Sequence, residues 1–249
     1  MRAATSLCLA RLCLMLTPCF LFLSGCTDLL VNRFSFFPQT LGASFSPPLD
    51  PRVQELYFDA PDGTRLHALF LRHPESRRAV LFLHGNAGHV YHRVDAALAL
   101  YDRGASVLLL SYRGYGKSAG SPSEAGVYAD AQAALDLLHG PLGFSAAQTF
   151  ILGRSLGSAV AVEVAQQRKL AGLILVTPLS SGRDVARYRG LGWAAGWIGH
   201  PFDSVRKVAA LNLPALFIHG NADWVIPLDH GRRLHDALPG QHPVSRVVE

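Results

Sequence analysis

The sequence has 249 residues, 49% of them apolar and 16% charged, so it can bury one large core or two small ones and does not resemble a disordered chain. The formal charge of +5 falls to +3 without residues 1–25, because removing Arg2 and Arg11 leaves 21 basic residues (23 − 2 = 21) against 18 acidic ones. With no run of Lys or Arg and no nucleic-acid-binding motif, we expect no nucleic-acid partner.

The four cysteines, Cys8, Cys13, Cys19 and Cys26, all lie at the N-terminus, so the remainder can form neither a disulfide nor a thiolate metal site. Residues 1–25 have a basic start and a short apolar run, which is typical of a secretory signal peptide. The run ends in LSGC, which resembles a bacterial lipobox and implies a diacylglycerol on the thiol of Cys26. The alternatives are an uncleaved anchor or a plain signal peptide. We expect a lipid-anchored protein of the bacterial cell envelope, facing the periplasm or the exterior.

Residues 26–52 are rich in Pro, Phe and Ser and have no strong periodicity, which predicts a tether lying against the body of the protein. The body is predicted to be one domain, residues 53–249. It begins with VQELYFDAPDGTRLHALFL, two alternating runs joined around Pro-Asp-Gly, which predicts a β-hairpin.

After the hairpin, short continuous apolar runs predict strands buried on both faces. These runs are residues 79–85, 106–112, 149–153, 172–177 and 215–220. The segments between them favour helices, so the chain is predicted to be α/β, with a mostly parallel sheet and helices on both faces. In such sheets ligands bind beyond the carboxyl ends of the strands.

Two of the predicted helices have recognisable ends. YHRVDAALALYDRG is expected to close on Gly104 as its C-cap. The segment SPSEAGVYADAQAALDLLHG is expected to begin with Ser121 as its N-cap, Pro122 in the first turn and Glu124 completing a capping box.

The strand TFILG runs into Gly153-Arg154-Ser155-Leu156-Gly157 and then into a small-residue helix. This pattern places a serine on a sharp strand-to-helix turn, with its hydroxyl in a cleft. Ser155 is therefore the candidate nucleophile, although a serine hydroxyl needs a neighbouring base to remove its proton. The alternative is an ordinary glycine-rich helix start.

A serine that adds to a carbonyl also needs donors for the resulting oxyanion. The turn LHGNAG at the end of the first buried strand offers backbone N–H groups, and we assign the oxyanion hole to the amides of Asn86 and Leu156. A plain turn is the alternative, and His84 within it is expected to be structural. Asp223, a few residues beyond the last complete strand, is the candidate acid that would orient an imidazole, although a loop aspartate is often only a turn former.

In this order and spacing, the motifs HGNAG, YRGYGKSAGSPSE, GRSLGS and HGNADWVIP resemble those of the α/β-hydrolase superfamily, and most closely its Bem46-like and depalmitoylase-like serine hydrolases. The resemblance covers about residues 53 to 249. It implies an eight-stranded sheet, a Ser-Asp-His triad and hydrolysis of an ester, thioester or amide, with no metal or cofactor.

The sequence departs from this family at the catalytic histidine, which follows the eighth strand in relatives. Here the eighth strand is expected to be SRVVE, ending at Glu249, so we expect a chain truncated at that strand. Three histidines follow Asp223. His242 is expected at the opposite edge of the sheet and His235 in mid-helix. His230 is nearest the cleft, but it matches a position where relatives carry a histidine beside the catalytic one, so we expect no histidine of this chain to act as the base of Ser155.

A short cap is expected at about residues 180–205, where Trp193, Trp197 and Ile198 recur at near-helical spacing. The simplest interpretation is packing onto the core, and a more specific one is an apolar roof that favours acyl or aromatic substrates. Two functions follow from these residues. One is a lipid-anchored serine hydrolase that lacks its histidine. The other is an inactive member of the fold that binds an acyl ligand or an envelope partner.

Overall fold

An eight-stranded sheet forms the centre of the protein in the computed structural model, which describes residues 35–42, 44–193, 200–240 and 246–248. The predicted signal peptide, Cys26 and the first part of the tether lie outside the described residues. So do Trp197, Ile198 and His242. Among the described residues, each helix is too short or too polar to span a bilayer.

Ten strands occur in the described residues: β1 (Phe37–Pro38), β2 (Val53–Asp59), β3 (Arg65–Leu71), β4 (Ala79–Leu83), β5 (Ala87–Gly88), β6 (Ser106–Ser111), β7 (Thr149–Arg154), β8 (Gly172–Val176), β9 (Ala215–Ile218) and β10 (Arg246–Val248). The α-helices of the same residues are α1 (Val94–Tyr101), α2 (Glu124–His139), α3 (Leu156–Ala165), α4 (Gly182–Ala186), α5 (Ser204–Val208) and α6 (Leu228–Ala237).

The central sheet has the strand order β10-β9-β8-β7-β4-β6-β3-β2. Strands β4 and β6 to β10 are parallel, whereas β3 runs antiparallel to both of its neighbours. The predicted hairpin and the five predicted buried strands are therefore confirmed. So is the eighth strand, in which Arg246 pairs with Leu216 of β9.

Alternate residues of the strands face two cores, and helices cover both faces of the sheet. Helices α2, α3, α5 and α6 lie over the larger core, where Ile151 and Leu175 are completely buried. Helix α1 packs on the other face, where Phe150, Ile174 and Val176 are only partly buried. A cavity of about 630 Å³ opens beside α1 on this second face.

The N-cap of α2 differs from the expectation. The helix begins at Glu124, and the hydroxyl of Ser123 accepts from the backbone N–H of Gly126 over 3.1 Å, so Ser123 and not Ser121 is the cap. The reason is that Pro122 packs against Gly114, which keeps residues 121 and 122 in the preceding loop. Helix α1 ends at Tyr101 with Asp102 as its C-cap, so the expected C-cap at Gly104 is wrong by two residues. Gly104 lies in the turn that follows, with a φ of 82° and its N–H donating to the carbonyl of Tyr101.

Residues 35–41 form a segment that we call the strap. It runs along the loops at the carboxyl ends of the strands. Its two-residue strand β1 pairs in parallel with β5, which follows Asn86 directly. Further along, the carbonyl of Gln39 accepts from Gly116, and the N–H of Leu41 donates to Gly116. This part of the predicted tether therefore lies against the body, as expected.

Candidate active site

Ser155 lies on a strained turn between β7 and α3. Its backbone angles are φ 52° and ψ −119°, in a region that side-chain-bearing residues rarely occupy. Its N–H donates to the carbonyl of Val176 on the adjacent strand, over 2.9 Å. The predicted sharp strand-to-helix turn is therefore present, while the role of the hydroxyl stays a prediction.

The two glycines around Ser155 allow this turn because two backbones meet there. A Cβ atom on Gly153 would overlap the backbone of Gly157, and one on Gly157 would overlap the carbonyl oxygens of Leu83 and His84. Helix α3 thus starts in direct contact with the end of β4. No larger residue fits at either position without moving backbone atoms.

The loop after β4 lies against Ser155. A Cβ atom placed on Gly85 would be 3.5 Å from the Cβ of Ser155, so Asn86 is one residue away from this contact. Leu156 is the first residue of α3, where backbone N–H groups have no partner within the helix. The structure therefore puts both amides assigned to the oxyanion hole on the chain segments that border Ser155.

Asn86 is held by three contacts that sequence reasoning did not identify. Its carbonyl accepts from the N–H of Phe37 over 3.1 Å and from the hydroxyl of Tyr115 over 2.8 Å. Its side-chain Nδ2 donates to the carbonyl of Ser35 over 3.2 Å. The strap and the loop after β6 therefore meet at this residue.

His84 is buried beneath the same loop and has a structural environment. Its Nδ1 lies 2.6 Å from the carbonyl of Gly85, and its ring contacts the rings of Tyr112 and Tyr115. Burial lowers the pKa of His84 to about 4. It is thus a neutral packed side chain at physiological pH, as expected from the sequence.

Asp223 lies in the loop after β9, half-buried. Its Oδ1 accepts from the backbone N–H groups of Val225 and Ile226 over 2.8 and 2.9 Å. Within the described residues no histidine contacts this carboxylate. Its role as the acid of a triad therefore stays a prediction.

His230 is bound elsewhere. Its Nδ1 lies 2.8 Å from the hydroxyl of Ser180, which in turn donates to Asp184 over 2.8 Å. Burial is the main cause that lowers the pKa of His230. The other candidate within α6, His235, packs its ring edge-on against Phe217 at 5.5 Å. Sequence patterns give no signal for the Ser180–Asp184–His230 cluster, whose members come from separate elements.

The predicted cap region begins with α4 and a π-helical turn over Arg187–Leu191. Trp193 is 80% exposed, so the expectation that it packs onto the core is wrong. At Gly190 the φ of 80° interrupts the helix, so the residues that follow do not keep the helical spacing that the prediction assumed.

Across the described residues, no group of three or more His, Cys, Asp or Glu side chains is placed to hold a metal ion.

Comparisons with known proteins agree with this architecture. Residues 74–206 match the family model of serine aminopeptidase, S33. An uncharacterized protein of Mycobacterium tuberculosis is 36% identical over 207 residues, which is 82% of this chain and 73% of that protein. The alpha/beta hydrolase domain-containing protein WAV2 of Arabidopsis thaliana is 32% identical over 242 residues, covering 88% of this chain and 79% of that protein.

Among solved structures, an alpha-beta hydrolase from Vibrio vulnificus matches with a TM-score of 0.66 and 23% identity, over 75% of this chain and 69% of that one. This likeness supports the fold. Together with the family match and the relatives above 30% identity, it confirms the resemblance found in the motifs. The chain belongs to the serine aminopeptidase S33 family of the α/β-hydrolase superfamily.

Proposed function

We propose that this protein is a serine hydrolase that cleaves an ester, thioester or amide by way of an acyl-enzyme on Ser155. The observation that carries the proposal is the strained backbone of Ser155, at φ 52° and ψ −119°. Strain of this kind persists only where the surrounding structure enforces it, and it occurs mostly at functional sites. Gly153 and Gly157 make the turn possible, and neither is needed for an ordinary helix start.

The proposed steps follow from the placement of the residues. Ser155 Oγ attacks the substrate carbonyl carbon, and its proton passes through a base to the leaving group. The backbone amides of Asn86 and Leu156 hold the oxyanion of the tetrahedral intermediate. Asp223 orients the base and stabilises its charged form. Water then hydrolyses the acyl-enzyme, which releases the acid and restores Ser155.

The base in such a triad is a histidine, and no described histidine contacts Asp223. We therefore expect slow turnover by the 249-residue chain. Removing the histidine of a comparable triad costs on the order of 10⁶ in kcat, and the oxyanion hole and substrate binding retain roughly 10³–10⁴ over water. The same observation supports a second candidate function, which is non-catalytic binding of an acyl ligand or an envelope partner.

We further propose that Cys26 carries a lipid and holds the protein to a membrane of the cell envelope. The support for this proposal is the LSGC sequence at the end of the apolar run. A thiol carrying several acyl chains gives stable anchoring, whereas a single chain would be marginal.

A fluorophosphonate probe tests the hydrolase proposal, because Ser155 Oγ would displace fluoride from phosphorus and become covalently phosphonylated. We expect one slow adduct, located at Ser155 by peptide mass mapping and absent from Ser155→Ala. Ser180→Ala is the matched control, since Ser180 also lies beside a histidine and an aspartate. Ester, thioester and amide substrates with the same acyl group would then rank the preferred bond.

An adduct that forms on Ser180, or one that is unchanged by Ser155→Ala, would contradict the assignment of the nucleophile. A chain that forms no adduct but binds fatty acids or acyl esters would favour the second candidate function. Asp223→Ala adds a further check, because only the hydrolase proposal requires its carboxylate for turnover.

A further inference from the structure

We infer that the strap is a positioning element of the active site, which holds Asn86 so that its amide is correctly placed in the oxyanion hole. The inference rests on the proposed function, because it assigns the strap a role in the reaction of Ser155. The strap lies upstream of the matched family segment, which begins at residue 74.

The strap makes hydrogen bonds to both the main chain and the side chain of Asn86. The N–H of Phe37 binds the carbonyl of Asn86, and the side-chain Nδ2 of Asn86 binds the carbonyl of Ser35. With the main chain and the side chain both tied to the strap, the position of Asn86 Cα is restrained. The hydroxyl of Tyr115 adds a third bond, to the same carbonyl.

The loop that contains Tyr115 is tied to the strap as well. The N–H of Gly116 donates to Gln39 over 2.9 Å, and the carbonyl of Gly116 accepts from Leu41 over 2.7 Å. The strap therefore connects the loop after β4 with the loop after β6. Neither loop can shift relative to the other without breaking these backbone hydrogen bonds.

Two adjacent phenylalanines of the strap have different surroundings. Phe36 is 4% exposed, and its ring packs edge-on against Phe202 at 6.0 Å within the larger core. Phe37 is 57% exposed, so its ring contributes little, while its backbone N–H makes the bond to Asn86. Burial of Phe36 thus fixes the strap to the larger core. The hydrogen bond from the N–H of Phe37 then fixes the loop after β4 to the strap.

On its other side this loop touches the nucleophile, because Gly85 lies against both the Cβ of Ser155 and the carbonyl of Arg154. A displacement of the strap would therefore change the distance between the Asn86 amide and the reacting centre. Donors of an oxyanion hole act only if they are preorganised at the position where charge develops. A misplacement of about 1 Å can lower a rate by on the order of 100-fold.

The test compares Phe37→Pro with Phe37→Ala in the full chain. Both variants lose the exposed ring, but only proline loses the N–H that binds Asn86. We expect fluorophosphonate inactivation of Phe37→Pro to have a maximal rate at least about tenfold below that of Phe37→Ala, with the probe concentration at half-maximal rate nearly unchanged. Hydrogen exchange of residues 86–88 should be faster in Phe37→Pro alone, while exchange in the central strands stays the same.

Equal maximal rates for the two variants would overturn the inference, as would a slower rate explained by weaker probe binding. If Phe37→Pro does not fold, Phe36→Ala and Phe36→Leu replace the pair, and the inference then requires that leucine restores the rate lost with alanine. If the probe never labels Ser155 in the wild-type chain, the proposed function itself is contradicted. The proposed role of the strap in catalysis is then contradicted as well. Unchanged exchange at residues 86–88 separately contradicts the claim that Phe37 holds the loop.

Discussion

Nδ1 of His230 lies 2.8 Å from the hydroxyl oxygen of Ser180, and the backbone N–H of Ser180 points at the same nitrogen from 3.2 Å. The hydroxyl of Ser180 also donates to Asp184, so these contacts occupy the Nδ1 side of the ring. Among the described residues, no hydrogen bond joins the ring to Ser155 or Asp223. We therefore expect His230 to be a structural residue that joins α6 to the loop before α4.

The first prediction follows from these contacts. His230→Asn keeps an acceptor for the N–H of Ser180, and we expect it to be phosphonylated at Ser155 within about threefold of the wild-type rate. Free imidazole should accelerate both proteins equally, because it supplies from solution the base that the triad requires. A large loss in His230→Asn that imidazole restores would instead identify His230 as the base.

The second prediction concerns the close contact of α3 and β4. Gly157→Ala places a methyl group on the carbonyl oxygens of Leu83 and His84, so we expect it to lower the free energy of unfolding by at least about 3 kcal/mol or to prevent folding. Gly220→Ala is the matched control, because no atom lies within 4 Å of its added methyl and the change should stay within roughly 0.5 kcal/mol. Denaturant unfolding of the two variants measures both effects, and comparable losses would contradict the packing argument.

The strands and the turn at Ser155 could be predicted because their signals are local and strong. Each buried strand is a continuous apolar run, and the two glycines around Ser155 indicate a turn in which two backbones lie close together. The N-cap of α2 was misplaced by two residues, since Ser121 and Ser123 both fit the pattern and only the packing of Pro122 on Gly114 decides between them.

The strap could not be predicted in detail for a different reason. Its strand has two residues, one of which is proline, and its partners Asn86 and Gly116 lie about 50 and 75 residues away in sequence. The same limit applies to Trp193, whose exposure depends on the left-handed backbone of Gly190. Spacing arguments fail wherever the backbone leaves the regular geometry that they assume.

The third prediction concerns stability between pH 4 and 6.5. His67 is fully buried between the rings of Tyr57 and Tyr91, with the carboxylate of Glu55 3.8 Å from its Nε2 and Lys117 bound to that carboxylate. Burial lowers the pKa of His67 to about 4, as it does for His84. In this window the unfolded chain binds protons that the folded chain does not, so the free energy of unfolding falls as the pH drops from 6.5 to 4.

The slope should approach about 1.4 kcal/mol per pH unit for each histidine that stays neutral when folded. Asp130 works in the opposite direction, because burial raises the pKa of its carboxyl. Denaturant unfolding of His67→Gln across this range should give a shallower slope than wild type. A wild-type stability that is flat between pH 4 and 6.5 would contradict the prediction.

The fourth prediction concerns the proposed anchor. Cys26→Ser removes the thiol that would carry the lipid, so in a bacterial host we expect loss of the lipid mass and release from the membrane fraction. Cys19→Ser is the matched control, since Cys19 lies within the apolar run and should leave processing unchanged. A Cys26→Ser protein that matures to the wild-type mass and stays with membranes would rule out lipidation at this cysteine.

The docking of the strap would also limit the distance between the cleft beside Asn86 and a lipid carried by Cys26. Ser35 is fixed to Asn86, and Cys26 precedes it by nine residues (35 − 26 = 9). A fully extended stretch of that length spans at most about 30 Å. If Cys26 holds diacylglycerol in a bilayer, the cleft beside Asn86 is therefore confined to the layer of solvent immediately above the lipid headgroups. Molecules that are dilute in the aqueous phase but concentrated on that surface, such as acylated lipids and proteins, would then be the substrates that the enzyme meets most often.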